Sequence, residues 1–275
     1  MTFSIVARSA DGDAWGVAVA SKFLAVGAVV PAAQAGVGAI ATQSFANLTY
    51  RPKGLAMMAD GRSAQATLDA LTAADADRAE RQAGIVDALG RSATFTGERC
   101  LDWAGGVNAD DVAIQGNILT GPEVVDAMHV AWRGSDPVLP LARRLLSALR
   151  AGDGAGGDRR GRQSAAVLVV TEDGGYGGFG DVLVDLRVDD HADPCTELER
   201  LLDLHHLYFE QPAAEDLLVI DDALAAEIDA HVHALGHGSL DEWLGVQNYE
   251  MRVVDGKIDR VVLGVLRDQA AATDG

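Results

Sequence analysis

A β-hairpin at the start of the chain constrains the fold more than any other feature of the sequence. Residues 3–7 form an apolar, β-prone run, residues 10–13 (ADGD) have turn composition, and residues 15–20 form a second apolar run. Strands as apolar as these are buried, so the first strand is expected to lie inside the core. With the turn centred on Asp11 and Gly12, paired residues have numbers that add up to 23.

The order of the other predicted elements indicates an antiparallel α+β fold. The spacing of apolar residues predicts strands over residues 25–30, 37–43, 82–86, 92–96, 112–115, 165–170 and 182–188. Helices are predicted over residues 54–74, 121–132, 139–150 and 197–209. Strands and helices do not alternate regularly, which argues against a doubly wound parallel sheet. A boundary is expected at Gln211 and Pro212, so that residues 1–210 form one domain and residues 211–275 form a small α/β appendage with one helix.

The charge of the chain excludes several classes of partner. Its 41 acidic and 22 basic residues give a net charge of −19, and a protein that follows phosphates needs a basic patch, so we expect no binding to nucleic acid or to membranes. The first basic residue, Arg8, lies beyond the first apolar run, which argues against a signal peptide. Cys100 and Cys195 are too few and too far apart for a disulfide framework. These features together predict a cytoplasmic protein.

Two glycine-rich segments match nucleotide-binding motifs only in part. Residues 175–180 (GYGGFG) fit the pattern G-x-G-x-x-G, but a strand follows them where that motif needs a helix, so we interpret them as the connection of a hairpin. Residues 156–163 (GGDRRGRQ) have the glycine spacing of a P-loop but lack its lysine and its Ser or Thr. We therefore expect neither a dinucleotide nor ATP at these segments.

The histidines and the clustered carboxylates do not predict a metal site. On a helix, His233 and His237 share a face that His231 does not, and no fourth ligand is evident. Residues 189–194 (DDHADP) have the composition of an acidic turn that caps the next helix. We expect no metal and no other cofactor.

Thr2 and Lys22 are the first candidates for chemistry. The hairpin register places Thr2 opposite Ser21 and beside Lys22, which is a cation inside an otherwise apolar run. Removal of a methionine that precedes threonine leaves a free α-amine, which has a pKa of about 7.7–8.0 in model peptides and can act as a base towards the Thr2 hydroxyl. A nearby Lys22 ammonium would lower that pKa and stabilise developing negative charge. The alternative interpretation of Lys22 is an edge-strand lysine that reaches solvent.

Polar residues at three strand ends form the second group of candidates. Residues 156–166 (GGDRRGRQSAA) crowd charged and polar side chains ahead of a buried strand, although a solvated loop is the default interpretation of such a run. The candidate substrate-binding residues in this loop are Asp158, Arg160, Arg162, Gln163 and Ser164. Either of these arginines can pair with a substrate carboxylate through two parallel hydrogen bonds. Gln43 and Asn117 lie at two other strand ends, where polar groups that enter a core need partners.

Five blocks of the sequence carry a family resemblance. They are residues 2–8 (TFSIVAR), 16–31 (GVAVASKFLAVGAVVP), 36–43 (GVGAIATQ), 115–128 (QGNILTGPEVVDAM) and 156–170 (GGDRRGRQSAAVLVV). Together they resemble the DUF1028 family, which is grouped with the N-terminal nucleophile (Ntn) hydrolases. The resemblance covers roughly residues 1–207, and the tail, residues 241–267, resembles a peptidoglycan-binding-like domain often fused to this family. It implies a four-layer αββα sandwich with Thr2 in the nucleophile position and Lys22 and the strand-end polar groups around it.

These observations lead to three hypotheses of different classes. In the first, the chain is an Ntn-type amidohydrolase of a small, anionic amide, with Thr2 as the nucleophile and Lys22 as electrostatic support. Ser21 would contact the substrate, and backbone amides near Gln43 or Asn117 would donate to the oxyanion. In the second, the chain keeps the fold without the chemistry and binds a small molecule or a glycan. The third is a structural role through oligomer packing, and we expect a homo-oligomer.

Overall fold

The chain divides into two compact units in this computed structural model, which describes residues 2–273. The first unit ends at Leu202 and the second begins at Asp203. The strands are β1 (Thr2–Arg8), β2 (Ala14–Ser21), β3 (Pro31–Gln34), β4 (Gly38–Ser44), β5 (Arg81–Asp87), β6 (Ser92–Thr96), β7 (Gly105–Ala109), β8 (Val112–Asn117), β9 (Ser164–Thr171), β10 (Val182–Val188), β11 (Leu217–Val219), β12 (Val253–Val254) and β13 (Lys257–Asp259). The helices are α1 (Tyr50–Ala59), α2 (Ala64–Ala73), α3 (Glu123–Gly134), α4 (Leu141–Gly154), α5 (Pro194–Phe209), α6 (Asp222–Ala234), α7 (Leu240–Gln247) and α8 (Arg260–Thr273).

Two antiparallel sheets build the first unit, which confirms the predicted mixture of helices with antiparallel strands. One sheet has six strands in the order β10-β9-β2-β1-β8-β7, and the other has four in the order β3-β4-β5-β6. β1 therefore lies in the interior of the larger sheet, where it pairs with β2 on one side and with β8 on the other.

The first hairpin has the predicted register. β1 pairs with β2 from Phe3 opposite Ala20 to Arg8 opposite Trp15, so that the numbers of paired residues add up to 23. On its other side, β1 places Thr2 opposite Asn117. Strand pairing on both sides thus fixes the position of the first residues of the chain.

Three hydrophobic clusters fill the first unit because side chains alternate between the faces of each strand. The first cluster packs one face of the six-stranded sheet, with Ile5, against α3, α4 and α5. The second lies between the two sheets, where Val17 and Ala41 belong to facing strands. The third packs the outer face of the four-stranded sheet, with Ile85, against α1 and α2, which contribute Leu68. Full burial of each large aliphatic side chain stabilises the fold by about 1.5–3 kcal/mol.

Local backbone geometry explains where the predicted elements of the first unit differ from the structure. The predicted strand over residues 25–30 is wrong, because Val26–Ala28 form a 3-10 turn. Ala25 has a φ of 53°, which interrupts an extended strand, and Gly27 lies so close to β9 that a Cβ there would be 2.5 Å from the Ala166 Cβ. The predicted helix over residues 54–74 is two helices, since Gly61 has a φ of 86° and ends the first. β7, with the sequence GGVNA, was not predicted because glycine-rich segments carry little strand signal.

The second unit has a small core of its own. Its three strands pair in the order β11-β13-β12, and three helices, α6, α7 and α8, follow or flank them, where the sequence predicted one. Trp243 and Leu263 are central members of its hydrophobic cluster. Arg252 and Asp259 form a buried ion pair, and Arg252 Nη1 also donates to the Glu210 carbonyl at 2.9 Å. Within residues 2–273, no helix has both the length and the apolar character needed to cross a membrane.

The carboxylate of Asp75, whose side chain is 8% exposed, binds the segment that follows β4 through several hydrogen bonds. It accepts hydrogen bonds from Arg81 Nε at 3.0 Å, from Asn47 Nδ2 at 2.8 Å and from the Tyr50 hydroxyl at 3.0 Å. These hydrogen bonds hold the pKa of Asp75 well below its usual range, and the bond from Arg81 contributes most.

The lowered pKa of Asp75 predicts a specific pH dependence of stability. Because the folded state holds the carboxylate charged, its stabilisation is present above the unfolded pKa of about 3.9 and is lost as the pH falls through the folded pKa. We expect Asp75→Asn to be less stable than the wild type at pH 7 and to lose less free energy of unfolding between pH 4 and lower pH. Urea unfolding at stepped pH measures both, and the exposed Asp69→Asn serves as the control for removal of one charge. The prediction would be contradicted if the free energy of unfolding of Asp75→Asn fell with decreasing pH as steeply as that of the wild type.

Candidate active site

Thr2 lies at the end of β1 and is buried, with 6% of its surface exposed. Its Oγ1 lies 3.2 Å from Ser21 Oγ, and either hydroxyl can donate the hydrogen bond. This contact follows from the hairpin register, which brings the start of β1 to the end of β2. A threonine hydroxyl and a serine hydroxyl therefore meet at one end of the larger sheet. Met1, whose removal would expose the Thr2 amine, lies outside the described residues.

The carbonyl of Thr2 is held by two side-chain amides. Gln43 Nε2 donates to it at 3.2 Å, and Asn117 Nδ2 donates at 3.5 Å. Asn117 reaches it from the neighbouring strand of the same sheet, and Gln43 reaches it from β4 of the other sheet. The backbone of Thr2 is thus fixed from both sheets.

These amides belong to a buried hydrogen-bonded group that we call the amide array. Its members are Ser4, Gln43, Gln82, Gln115 and Asn117, each at most 1% exposed. Ser4 Oγ donates to Gln43 Oε1 at 2.7 Å and accepts from Gln115 Nε2 at 2.6 Å, and Gln82 Oε1 accepts from both Gln43 and Asn117. Hydrogen bonds among these buried side chains restrict their motion, so the array holds the backbone of Thr2 in a fixed position.

Gly84 makes room for the array. Gln115 Oε1 accepts no hydrogen bond from any described residue and lies directly against Gly84 of the facing sheet. A Cβ on Gly84 would come within 1.9 Å of that oxygen. The array therefore depends on the small residue at this point of β5.

Asp158 organises the charged loop that precedes β9. Its side chain is 2% exposed and accepts from Lys22 N at 2.7 Å and from Arg160 N at 2.8 Å. Arg160 Nη2 also pairs with its carboxylate at 3.3 Å. Because Lys22 directly follows Ser21, this carboxylate anchors the backbone next to the Thr2 hydroxyl. Asp158 and Arg160 are thus linked to the site indirectly, because Asp158 binds the backbone of Lys22 and Arg160 pairs with Asp158.

The ammonium of Lys22 is bound to the same loop. Lys22 is exposed, and its Nζ donates to the Arg162 carbonyl at 3.2 Å. Arg162 in turn pairs through Nε with Asp153 at 2.8 Å, which raises the pKa of Arg162. The positive charge of Lys22 thus lies over the charged loop.

Gln163 and Ser164 order the segments next to the loop. The Ser164 hydroxyl accepts from Val26 N at 3.1 Å and donates to the Phe23 carbonyl, which holds the turn after β2. Gln163 Nε2 donates to Asp190 Oδ1 at 3.1 Å. Ser164 therefore binds the backbone of the turn after β2, and Gln163 binds the loop that contains Asp190.

A cleft of about 430 Å³ lies beside the charged loop. Its lining residues are Asp153, Gly154, Gly156, Asp158, Gly161, Arg162 and Ala192. A Cβ on Gly154 or on Gly161 would meet open space, so the backbone itself forms part of the wall. The cleft offers both signs of charge to a small polar molecule.

The structure shows where the glycine-rich and histidine-rich segments of the sequence lie. The GYGGFG segment connects β9 to β10 through a turn at Tyr176–Gly178, which confirms its interpretation as a hairpin connection. His231 and His233 lie on α6. Among residues 2–273, no group of three or more His, Cys, Asp or Glu side chains is arranged to hold a metal ion.

Ser4 and Gln82 are members of the array that sequence reasoning missed. Both lie within runs whose pattern predicts apolar strands, and Gln115 is the last residue of another predicted strand. The available signal was a polar residue inside an otherwise buried run, since a polar group in that position needs a buried partner. Identifying that partner required the packing of the two sheets.

Comparison with known proteins places the chain among proteins of unknown function. A family model described as "Family of unknown function (DUF1028)" matches residues 2–198. The crystal structure of protein SPO2555 from Silicibacter pomeroyi, of the same family model, is 34% identical, with a TM-score of 0.67 over 74% of this chain and 89% of that chain. Anbu (ancestral beta-subunit) from Yersinia bercovieri is 11% identical, with a TM-score of 0.33 over 77% of this chain and 98% of that chain. No curated protein matches the chain.

Proposed function

This chain belongs to the DUF1028 family, and we propose that it is an Ntn-type amidohydrolase in which Thr2 is the nucleophile. The observation that carries the proposal is the setting of Thr2. Its hydroxyl lies 3.2 Å from the Ser21 hydroxyl at the buried end of β1, and two side-chain amides hold its carbonyl. A residue clamped in this way presents its hydroxyl in one orientation, which favours attack on a bound carbonyl.

In the proposed reaction Thr2 is the first residue of the mature chain. Thr2 Oγ1 attacks the carbonyl carbon of the amide while its proton passes to the Thr2 α-amine, so that a C–O bond forms. The C–N bond then breaks, the proton passes to the leaving nitrogen, and an ester remains on Thr2. Water adds to this ester with the amine again acting as base, which releases the carboxylic acid and restores the hydroxyl.

Ser21 and the two amides take different roles in this reaction. The Ser21 hydroxyl is both donor and acceptor, so it can accept from Thr2 before attack and donate to the oxyanion afterwards. The side-chain amides of Gln43 and Asn117 already donate to the Thr2 carbonyl and to Gln82, and we assign them to holding Thr2 in place. Backbone amides near these residues are the proposed oxyanion donors.

The layering of the first unit supports the Ntn part of the proposal. Helices α3, α4 and α5 pack on the outer face of the six-stranded sheet, α1 and α2 pack on the outer face of the four-stranded sheet, and the two sheets share a core between them. We assign this order of helices, sheet, sheet and helices to a four-layer αββα sandwich. Placing a nucleophile at the start of a central strand fits such an architecture, because the sandwich buries that strand on both faces.

The charged loop supports a small anionic amide as the substrate. The Arg162 side chain is 47% exposed and commits Nε to Asp153, and a guanidinium has further donors with which to bind a substrate carboxylate. The Lys22 ammonium adds positive charge at the same loop. The neighbouring cleft of about 430 Å³ is of the size that holds small molecules.

The proposal requires a free Thr2 amine, so the mature chain is expected to lack Met1. Intact mass spectrometry of the purified protein should give a mass lower than that of the full sequence by one methionine residue. As a control, a chain that carries a protease-cleavable tag directly ahead of Thr2 should hydrolyse no amide until the protease exposes Thr2. Equal turnover of a panel of small amides before and after cleavage would reject the amine as the base.

A further inference from the structure

Gln82 occupies the centre of the amide array and is fully buried at the start of β5. Its Oε1 accepts from Gln43 Nε2 at 2.8 Å and from Asn117 Nδ2 at 2.9 Å. Its Nε2 donates to the Gly116 carbonyl at 2.7 Å and to the Thr96 hydroxyl at 2.9 Å. One side chain thereby joins the two sheets at the level of Thr2.

The orientation of an amide side chain has to be fixed by its partners. A primary amide can turn by 180° with almost no change in shape, so packing alone does not decide whether Gln43 and Asn117 present NH2 or oxygen to Thr2. Gln82 Oε1 is an acceptor only, and both neighbours must therefore turn their NH2 groups towards it. The same two NH2 groups are the ones that donate to the Thr2 carbonyl.

The orientation of Gln82 is fixed in turn by the backbone. Its Nε2 faces the Gly116 carbonyl, which can only accept a hydrogen bond. A reversed Gln82 would bring two oxygens together at Gly116 and would turn its NH2 group towards the NH2 groups of Gln43 and Asn117. A chain of hydrogen bonds thus runs from a strand carbonyl through Gln82 and two amides to Thr2.

We infer that Gln82 is a positioning residue that sets the amides of Gln43 and Asn117 to hold the Thr2 carbonyl, and through it the Thr2 hydroxyl. Where turnover is measured, this inference rests on the proposed amidohydrolase function. The fixing of the two amides is independent of that function and can be measured without any substrate.

Three variants separate the acceptor role of Gln82 from general loosening of the fold. Gln82→Met removes both acceptor and donor at similar volume. Gln82→Glu in its protonated form keeps an oxygen that accepts from both amides and a hydroxyl that can donate to the Gly116 carbonyl in place of Nε2. Thr96→Val removes a hydrogen bond from the far side of Gln82 and leaves its Oε1 untouched, so it is the matched control.

The first readout is hydrogen exchange of the side-chain NH2 groups of Gln43 and Asn117, measured by NMR without substrate. We expect both to exchange slowly in the wild type, in Gln82→Glu and in Thr96→Val, and at least tenfold faster in Gln82→Met. The wild type also allows a direct test, in which scalar couplings across the hydrogen bonds should link both NH2 nitrogens to the Gln82 side-chain carbonyl. Absence of either coupling overturns the inference, even where Gln82→Met does not fold.

The second readout is turnover of a small amide that the wild type hydrolyses. Misplacing a nucleophile lowers the rate of chemistry more than it weakens substrate binding, so Gln82→Met should lower kcat by about 10- to 100-fold with little change in KM. Gln82→Glu should recover most of kcat. A raised KM at unchanged kcat in Gln82→Met would overturn the positioning role. A wild type that hydrolyses no amide would reject the proposed function and leave the exchange experiment to decide the role of Gln82.

Discussion

Thr2→Ala is expected to lower kcat/KM for amide hydrolysis by about 10⁴-fold or more, since it removes the atom that forms the covalent intermediate. Alanine is small enough to permit removal of Met1, and the carbonyl at position 2 can still accept from Gln43 and Asn117. The variant therefore isolates the hydroxyl. Steady-state hydrolysis of a panel of small amides measures the loss, and intact mass after rapid quenching should show an acyl adduct on the wild type and none on Thr2→Ala.

Two further variants sharpen the interpretation of Thr2→Ala. Thr2→Ser keeps a hydroxyl at the same place and should retain a substantial part of the activity. Ser21→Ala removes the hydroxyl that lies 3.2 Å from Thr2 Oγ1 and should lower kcat while the acyl adduct still forms. Turnover by Thr2→Ala equal to that of the wild type would remove Thr2 from the mechanism and favour a binding protein that keeps the fold without the chemistry.

Asp259→Asn is expected to lower the free energy of unfolding of the second unit by about 3–5 kcal/mol, because it leaves the buried Arg252 guanidinium without its counter-charge. The Asp259 side chain is fully buried, and the Arg252 side chain is 5% exposed. Arg252 also donates to the Glu210 carbonyl, so the loss extends to the end of α5. Hydrogen exchange of peptides from α6 to α8, followed by mass spectrometry, measures this unit separately from the first.

Glu227→Gln is the matched control for Asp259→Asn. Glu227 pairs with Arg267 on the surface of the same unit, with side chains 36% and 49% exposed. Water screens such a pair, so its removal should lower the free energy of unfolding much less than removal of the buried pair does. Equal losses of protection in the two variants would show that the buried pair contributes no more than a surface pair does.

The sequence was sufficient to predict the contact between Thr2 and Ser21. A tight turn fixes the register of its hairpin, and a fixed register determines every cross-strand neighbour. The same reasoning extended to Lys22 was less informative, because successive side chains of a strand point to opposite faces. The structure accordingly shows Ser21 at Thr2 and the Lys22 ammonium on the Arg162 carbonyl.

The contact of Gln43 with the Thr2 carbonyl, and that of Gln82 with Gln43 and Asn117, could not be predicted in the same way. Gln43 and Gln82 are 39 residues apart, and they belong to a different sheet from Thr2. They face each other on β4 and β5, but their contacts with Thr2 and Asn117 depend on how far apart the two sheets lie, which is set by the small residues on the facing strands. A periodic pattern identifies which face is buried but not which side chains touch across a layer. Strand ends with polar residues were therefore visible in the sequence, whereas the array they form was not.

The close contact between Gly84 and Gln115 limits which amino-acid substitutions the chain can accept at these two positions. The backbone at Gly84 is ordinary extended strand, so its conformation does not exclude other residues there. The obstacle is the Gln115 side-chain amide, whose Oε1, Cδ and Nε2 would lie 1.9, 2.5 and 2.7 Å from a Cβ at this position. A methyl group at position 84 requires the Gln115 side chain to move or to shorten, and either change displaces the Nε2 that donates to Ser4 Oγ at 2.6 Å. A substitution at either position alone therefore disturbs the amide array that holds Thr2, so changes at the two positions have to occur together.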